Sequence, residues 1–161
     1  MNKFFYWQGH AYFVFIARVY LALIFLFACY HKILHPDAFA LDVATYQILP
    51  LELVNLMAII LPWVELTAGL MLLLGFRIRA ASLLICAMML VFILAVVLAL
   101  HKGLHMACGC FASQGANEDP ISWRTIVRDS FWLILGIYII FFNKYIFSID
   151  GIIFRLKQQR T

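Results

Sequence analysis

The segment "RAASLLICAMMLVFILAVVLALHK", residues 79–102, decides the fold class of this chain. Between Arg79 and Lys102 it contains no Asp, Glu, Lys or Arg, over the length of about 20 residues that a helix needs to cross a bilayer. Polar and apolar residues do not alternate along it, as they do in the strands of a membrane barrel. The segment therefore predicts a transmembrane helix.

Three further segments have the same character, and together the four predict an all-α integral membrane protein, a four-helix transmembrane bundle. The predicted spans are residues 11–34, 51–74, 80–102 and 123–143. Only 12% of the residues are charged and 66% are hydrophobic, whereas soluble domains carry about 25% charged residues. We expect residues 1–161 to form one transmembrane domain in contact with lipid, with an interfacial C-terminal tail over residues 144–161.

The distribution of Lys and Arg predicts the orientation of the spans. Basic residues lie in the linker between the second and third spans and after the fourth: Arg77, Arg79, Lys144, Arg155, Lys157 and Arg160. The first and third linkers carry most of the acidic residues instead. By the positive-inside rule, both termini lie on the cytoplasmic side of a bacterial inner membrane. The net charge of +4 follows from this bias and does not indicate a nucleic-acid partner.

The third linker, "HMACGCFASQGANEDP" at residues 105–120, places Cys108 and Cys110 on the oxidising outer side. A Cys-x-Cys disulfide is at the edge of relaxed geometry, and strained disulfides exchange more readily. Gly109 supplies backbone freedom between the two thiols. Cys29 lies five residues before the end of the first span, roughly 7 to 8 Å deep. We predict an exchanging pair, Cys108 and Cys110, with Cys29 as a third catalytic thiol. The alternative is a structural bridge from one of the pair to Cys29.

Basic and imidazole side chains surround these thiols. Lys32, His101 and His105 are predicted to favour the reactive thiolate, because neighbouring positive charge stabilises it. Histidine pairs four residues apart can share one helix face, and imidazole with thiolate is a ligand set that zinc and copper accept. We assign no metal, and the alternative of a metal site would use His31, His35, His101, His105, Cys108 and Cys110.

Three ionisable residues stand out within the predicted spans: Arg18, Glu65 and Asp129. Charge is costly there and marks a function or a buried partner. Arg18 and Glu65 lie roughly 10 and 13 Å from the inner ends of their spans. Their similar depth predicts an ion pair between the first two spans. The alternative is a role in proton transfer or in contacting a quinone headgroup. Asp129 lies near the outer start of the fourth span, where its charge would complement the helix N-terminus and pair with the neighbouring arginines. Because it is close to the cysteines, we also predict that it supports the cysteine site.

Five motifs in order resemble the MauE/DoxX family, specifically its MauE-like branch. They are "YHKILHPDAF" (residues 30–39), "YQILP" (46–50), "LPWVELTAGLMLLLG" (61–75), "CGCF" (108–111) and "SWRTIVRD" (122–129). The combination of LPxxE and CGCF at this distance carries most of the resemblance. Two positions differ from the family pattern: Ala112 replaces a glycine, and Asp129 replaces an asparagine.

The resemblance implies a helical bundle with the CGCF loop on the periplasmic face. MauE-like proteins are linked to maturation of disulfide-containing periplasmic proteins, as in methylamine utilisation, and the DoxX side to quinone-coupled sulfur oxidation. The implied activity is that of a thiol-disulfide oxidoreductase that exchanges electrons with a thioredoxin-fold or client protein, with a quinone as the implied cofactor.

Two other functions remain open from the sequence. The chain would be a non-catalytic accessory or assembly subunit if other membrane subunits carried the chemistry. It would be a metal-handling membrane protein if the His and Cys side chains converged on one ion.

Overall fold

The computed structural model describes residues 9–104, 108, 120–142 and 148–149. Within them the chain forms five helices: α1 Gly9–Leu34, α2 Pro36–Thr45, α3 Leu51–Leu74, α4 Ile78–His101 and α5 Trp123–Phe141. The predicted all-α class is confirmed. The predicted ends of the spans at residues 34, 51 and 74 coincide with helix ends, and the third span differs by two residues at its start and one at its end.

Three helices in the described part of the chain are long and apolar enough to cross a membrane. They cover Tyr12–Leu34, Leu51–Leu74 and Ile78–His101, and with the composition they indicate a membrane protein. Helix α5 is not among them, because Arg124, Arg128 and Asp129 all lie in its first two turns.

Helix ends are set by residues that can satisfy the free backbone groups there. Gly75 ends α3 in the left-handed conformation, with φ 70° and ψ 34°. The N–H of Phe76 then donates to the carbonyl of Met71 at 2.9 Å, the Schellman arrangement that glycine allows. At the start of α5, Ser122 and Thr125 form a reciprocal capping box. The tight turn after Gly75 makes α3 and α4 antiparallel neighbours.

Helix α2 lies in the first linker, for which the sequence predicted no helix. Pro36 stands in its first turn, where its fixed φ is already helical and its missing N–H costs nothing. Phe39 is the buried residue of this helix, which packs mainly against α3. We call the end of the bundle where α2 lies, and where α1 and α4 end and α3 and α5 begin, the α2 end.

The core lies between two closely packed helix pairs, α1 with α3 and α4 with α5. Small residues allow the close approach that holds membrane helices together. A Cβ at Gly69 of α3 would lie 3.2 Å from the Leu26 side chain of α1. A Cβ at Gly136 of α5 would lie 2.6 Å from the Sγ of Cys86 on α4. Cys86 therefore occupies the groove left by a glycine, as a small packing residue does.

Candidate functional site

A cavity of about 460 Å³ lies at the α2 end, and all five helices contribute to its wall. Most of the wall is apolar, with side chains such as Phe25, Met57, Met88, Phe92 and Trp132. The groups that can form hydrogen bonds or carry charge come from four of the helices, from the C-cap of α2 and from the third linker: Lys32, Asp42, Tyr46, Glu65, Cys108 and Asp129. We call these six residues the polar cluster. An apolar chamber with a few polar groups is typical of a small-molecule site.

Lys32 of α1 and Glu65 of α3 form a buried ion pair in this cavity. The Nζ of Lys32 lies 2.8 Å from Oε1 and 3.0 Å from Oε2 of Glu65, and each side chain is about 90% buried, at 9% and 10% exposure. The ammonium also lies 4.9 Å from the centre of the Phe39 ring, within the range of a cation–π contact. Pairing makes two charges tolerable where each alone would be expensive.

This pairing differs from the predicted one, in which Arg18 was the partner of Glu65. Gly69 of α3 lies opposite Ala22 and Leu26 of α1. Because the two helices are antiparallel, higher residue numbers on α3 lie opposite lower numbers on α1, and residue 75 is therefore level with Arg18. A Cβ at Gly75 would indeed be 3.0 Å from Nη1 of Arg18. Arg18 is therefore level with the end of α3, and Glu65 is ten residues, roughly 15 Å, away along that helix.

The predicted pairing was wrong because the inner ends of the two spans are not level. Helix α1 begins at Gly9 and extends beyond the end of α3, so equal distances from the two ends are not equal depths. Lys32 was not considered as a partner because it lies near the other end of α1. Side chains on a helix tilt toward its N-terminus, so the long Lys32 side chain reaches back along α1 to Glu65.

Arg18 has a different environment. It is 1% exposed, and its guanidinium lies 5.1 Å from the centre of the Phe15 ring. Its position beside Gly75 puts it at the C-terminal end of α3, where the helix dipole is negative. This arginine thus stabilises the end of a helix, far from the cavity.

Cys108 is disulfide-bonded and 1% exposed. Three of the apolar residues packed around it come from α4 and from the segment before α5: Val96, Ala99 and Ile121. The hydroxyl of Tyr46 donates a hydrogen bond to the carbonyl oxygen of Cys108 at 2.9 Å. Burial, and to a smaller extent the carboxylates of Asp42 and Asp129, raise the pKa of the Tyr46 phenol above its usual range. The phenol therefore keeps its proton and holds the Cys108 backbone.

Arg128 of α5 contacts the sulfur itself. Its Nη2 donates to the Sγ of Cys108 at 3.5 Å, and its Nε donates to Oδ1 of Asp129 at 3.1 Å. The guanidinium also lies 4.9 Å from the centre of the Trp132 ring. Asp129 and Trp132 therefore fix the orientation of the group that faces the sulfur. Asp129 and Cys108 border the same cavity, and Asp129 reaches the sulfur through Arg128.

The roles of Arg128 and Tyr46 were not predicted from the sequence. Arg128 was predicted only as a neighbour of Asp129, although the motif "SWRTIVRD" contains it. Tyr46 stands in the motif "YQILP", but its reach to Cys108 crosses 62 positions of the chain. No local pattern carries such a contact.

Cys29 is a buried free thiol in α1, and its Sγ donates to the carbonyl of Leu26 at 3.2 Å. Cys29 therefore does not form the structural bridge to the third linker that was the alternative prediction. Cys86 is also a free thiol, and it packs against α5. The partner cysteine that we predicted for Cys108, Cys110, and Gly109 between them lie outside the described residues.

The predicted histidine environment is only partly described. The rings of His31 and His35 have centroids 4.9 Å apart, and His101 is exposed at the end of α4. His105 lies outside the described residues. Across residues 9–104, 108 and 120–142, no three His, Cys, Asp or Glu side chains are grouped as a metal site requires. Lys32, predicted to favour a thiolate, pairs with Glu65, and Arg128 contacts the sulfur instead.

Comparison with known proteins gives a family match that includes nearly all of the described helices. The family model for methylamine utilisation protein MauE matches residues 10–142. The chain is also similar to the methylamine utilization protein MauE of Paracoccus denitrificans, with 29% identity over 113 residues, 70% of this chain and 60% of that relative. The match thus spans about 60% of the length of that relative. No solved structure matches the chain significantly.

Proposed function

The chain belongs to the MauE family, and on that premise we propose that it is a membrane thiol-disulfide oxidoreductase that serves methylamine utilisation. The observation that carries the proposal is the contact of the Arg128 guanidinium with the Sγ of Cys108 at 3.5 Å. A fixed cation beside a disulfide sulfur stabilises the thiolate that forms when the disulfide opens. A disulfide with only a structural role has no need of that charge.

The exchanging groups in this proposal are Cys108 and Cys110. A thioredoxin-fold protein or a client protein on the outer face brings a dithiol or a disulfide. When the partner reduces this chain, the dithiol of the partner becomes a disulfide, and the disulfide of this chain becomes two thiols. Two electrons and two protons pass between the proteins, and no other reactant is consumed.

A quinone is the lipid-soluble electron carrier that the cavity suits. The volume of about 460 Å³ is in the usual range of small-molecule pockets, about 300 to 1,000 Å³. The apolar wall suits a ring and its isoprenoid tail, and Lys32, Tyr46 and Asp129 are the groups that would hold its polar end. When bound, a quinone would supply an acceptor for two electrons and two protons. The role of Lys32 and Glu65 would be to hold a proton and a charge beside it.

We also propose that α5 is a fourth membrane span and that the bundle has a defined orientation in the membrane. Helix α5 has 19 residues, roughly 28 Å at 1.5 Å per residue, which nearly matches the bilayer core of about 30 Å. Arg77 and Arg79 adjoin the turn at the end opposite the cavity. The positive-inside rule then puts both termini in the cytoplasm and the α2 end on the outer face of the inner membrane.

Thiol trapping in intact membranes tests this function. Membranes are quenched with acid, and free thiols are labelled with a mass-shifting maleimide in the parent chain and in serine variants of Cys29, Cys108 and Cys110. We expect a disulfide that opens and closes with the redox state of the membrane, and that is lost in the Cys108 and Cys110 variants. Cys86→Ser is the matched control, because Cys86 is a free thiol on a helix and only a packing residue.

Three kinds of result would overturn the proposal. Cysteines that stay reduced, or one disulfide that never opens, would exclude a thiol relay. Full methylamine-dependent growth of a strain in which Cys108 and Cys110 are both serine would favour the accessory-subunit alternative. Stoichiometric zinc or copper in the purified protein, lost in Cys108→Ser, would favour metal handling.

A further inference from the structure

We infer that the two sulfurs of the Cys108–Cys110 pair have different roles: Cys108 is the sulfur that Arg128 holds as the departing thiolate, and a protein partner exchanges only at Cys110. This inference rests on the proposed thiol exchange and adds which sulfur the partner meets. It also makes Arg128 a residue of the reaction, because its guanidinium contacts a reacting atom.

Access to Cys108 is the first argument. The residue is 1% exposed, and the Tyr46 hydroxyl anchors its carbonyl at 2.9 Å. A thiolate must approach the sulfur that it attacks closely enough to form a bond with it, so attack depends on access. The thiol of a folded protein partner cannot enter the apolar packing around Cys108. Cys108 lines the cavity, where a small lipid-soluble molecule has access and a protein has none.

Charge is the second argument. The sulfur that is not attacked keeps the electron pair of the broken bond, and a better stabilised thiolate leaves faster. The Nη2 of Arg128 is 3.5 Å from the Sγ of Cys108, and Asp129 and Trp132 keep the guanidinium there. Lys32 does not stabilise this thiolate, because its Nζ is paired with both carboxylate oxygens of Glu65, at 2.8 and 3.0 Å.

The exchange balances in atoms and electrons. A thiolate of the partner attacks the Sγ of Cys110, the Cys108–Cys110 bond breaks, and a bond forms between the partner sulfur and Cys110. The electron pair stays on Cys108 beside Arg128. The second thiolate of the partner then attacks the partner sulfur of this mixed disulfide and releases Cys110 as a thiolate. The reverse reaction passes through the same mixed disulfide, so the inference holds for either direction of electron flow.

The first test compares trapping at the two positions. The full chain, with Cys29 and Cys86 replaced by serine, carries either Cys108→Ser or Cys110→Ser. The probe is a thioredoxin with one active-site cysteine, activated as a mixed disulfide with 5-thio-2-nitrobenzoate. We expect the Cys108→Ser chain to form the protein–protein disulfide at least about tenfold faster than the Cys110→Ser chain, because access controls exchange. Equal rates, or faster trapping in the Cys110→Ser chain, would overturn the inference while leaving thiol exchange intact. No trapping in either would overturn the proposed function and this inference together.

The second test measures the effect of Arg128 on the thiolate. In the chain that retains Cys108 as its one thiol, a small membrane-permeable alkylating agent is reacted over a range of pH. We expect Arg128→Gln to slow alkylation at neutral pH by about tenfold, because less thiolate is present, and Arg128→Lys to recover part of the rate. Arg124→Gln is the control, since Arg124 is exposed one turn earlier on α5. Thermal stability, measured in parallel, separates loss of fold from loss of charge. An unchanged rate in folded Arg128→Gln, or an equal loss in Arg124→Gln, would overturn the inference.

Discussion

The two ends of the bundle both bury a cation, but in different surroundings. At one end Arg18 lies against the Phe15 ring and beside Gly75, the residue that caps α3. At the α2 end Lys32 and Glu65 border a cavity together with Cys108 and Asp129. Arg18 is 1% exposed and does not line the cavity, whereas the charges at the α2 end have space in front of them. A buried charge that lines a cavity thus indicates a chemical role, whereas a buried charge enclosed by packed side chains indicates a stabilising role.

The largest effect is expected from breaking the ion pair at the α2 end. Glu65→Ala leaves the Lys32 ammonium buried without its carboxylate, and removal of one partner of a buried pair costs about 3 to 5 kcal/mol. The free energy of unfolding in lipid–detergent micelles measures the loss. Glu52→Ala is the control, because Glu52 is exposed in the first turn of α3. The double change Lys32→Met with Glu65→Leu should restore most of the stability. A double variant as unstable as Glu65→Ala would show that the pair is not the cause.

Gly75→Ala tests the tight packing at the Arg18 end. A Cβ there would lie 2.6 Å from the Cβ and 2.8 Å from the Cα of Ser148, and overpacking costs typically 1 to 3 kcal/mol. Its φ of +70° adds about 1 to 2 kcal/mol for any residue with a Cβ.

Gly103→Ala is a closely matched control for this change. Gly103 has a φ of +69° and nothing within 4 Å of an added Cβ, so it carries the backbone cost without the clash. We expect Gly75→Ala to lower the free energy of unfolding more than Gly103→Ala, with thiol exchange unchanged in the folded fraction. Equal losses in the two variants would mean that packing against Ser148 contributes nothing.

Tyr46→Phe removes the hydrogen bond that holds the Cys108 backbone, and its effect on stability should be smaller. The loss is about 1 kcal/mol, the net value of a typical hydrogen bond. We expect a larger effect on the rate of thiol exchange, because Cys108 loses an anchor while Arg128 stays in place. Tyr12→Phe, at an exposed position of α1, is the control for both measurements. A change in stability with no change in exchange would restrict Tyr46 to a structural role.

The smallest effect is a pH dependence at Asp42, the half-buried carboxyl on α2. Burial raises the pKa of this carboxyl, and the charges of His31 and Lys32 lower it by less. The folded state therefore holds the proton more tightly than the unfolded state does, and the contribution of Asp42 to stability falls as the pH rises through that window. About pH 4 is the ordinary pKa of an aspartate carboxyl. Between that pH and neutrality, the Tm of Asp42→Asn should fall less with rising pH than the Tm of the parent chain. Identical profiles would contradict this, and Glu52→Gln serves as the exposed control.

Local features of the chain were predictable from sequence. The three long apolar helices α1, α3 and α4 begin and end within two residues of the predicted spans. The resemblance to the MauE family is confirmed by a match over residues 10–142. Hydropathy and backbone capping depend on neighbours along the chain, so a sequence displays them directly. The exchanging thiols, the quinone and the orientation stay predictions.

The arrangement of the candidate site depended on the tertiary structure. The pairing of Arg18 with Glu65 was predicted from their depths in the membrane, because a sequence does not show how far one helix is shifted along its neighbour. In the structure, the register of α1 against α3 brings Lys32 to Glu65 instead. The sequence also contained Arg128, Tyr46 and Cys108 without any sign that they meet. Burial in a membrane requires every charge to find a partner, but which partner it finds depends on how helices slide past one another and how far each side chain reaches. Composition and periodicity therefore determined that this chain enters a membrane as helices, and only packing between those helices decided which residues share the cavity.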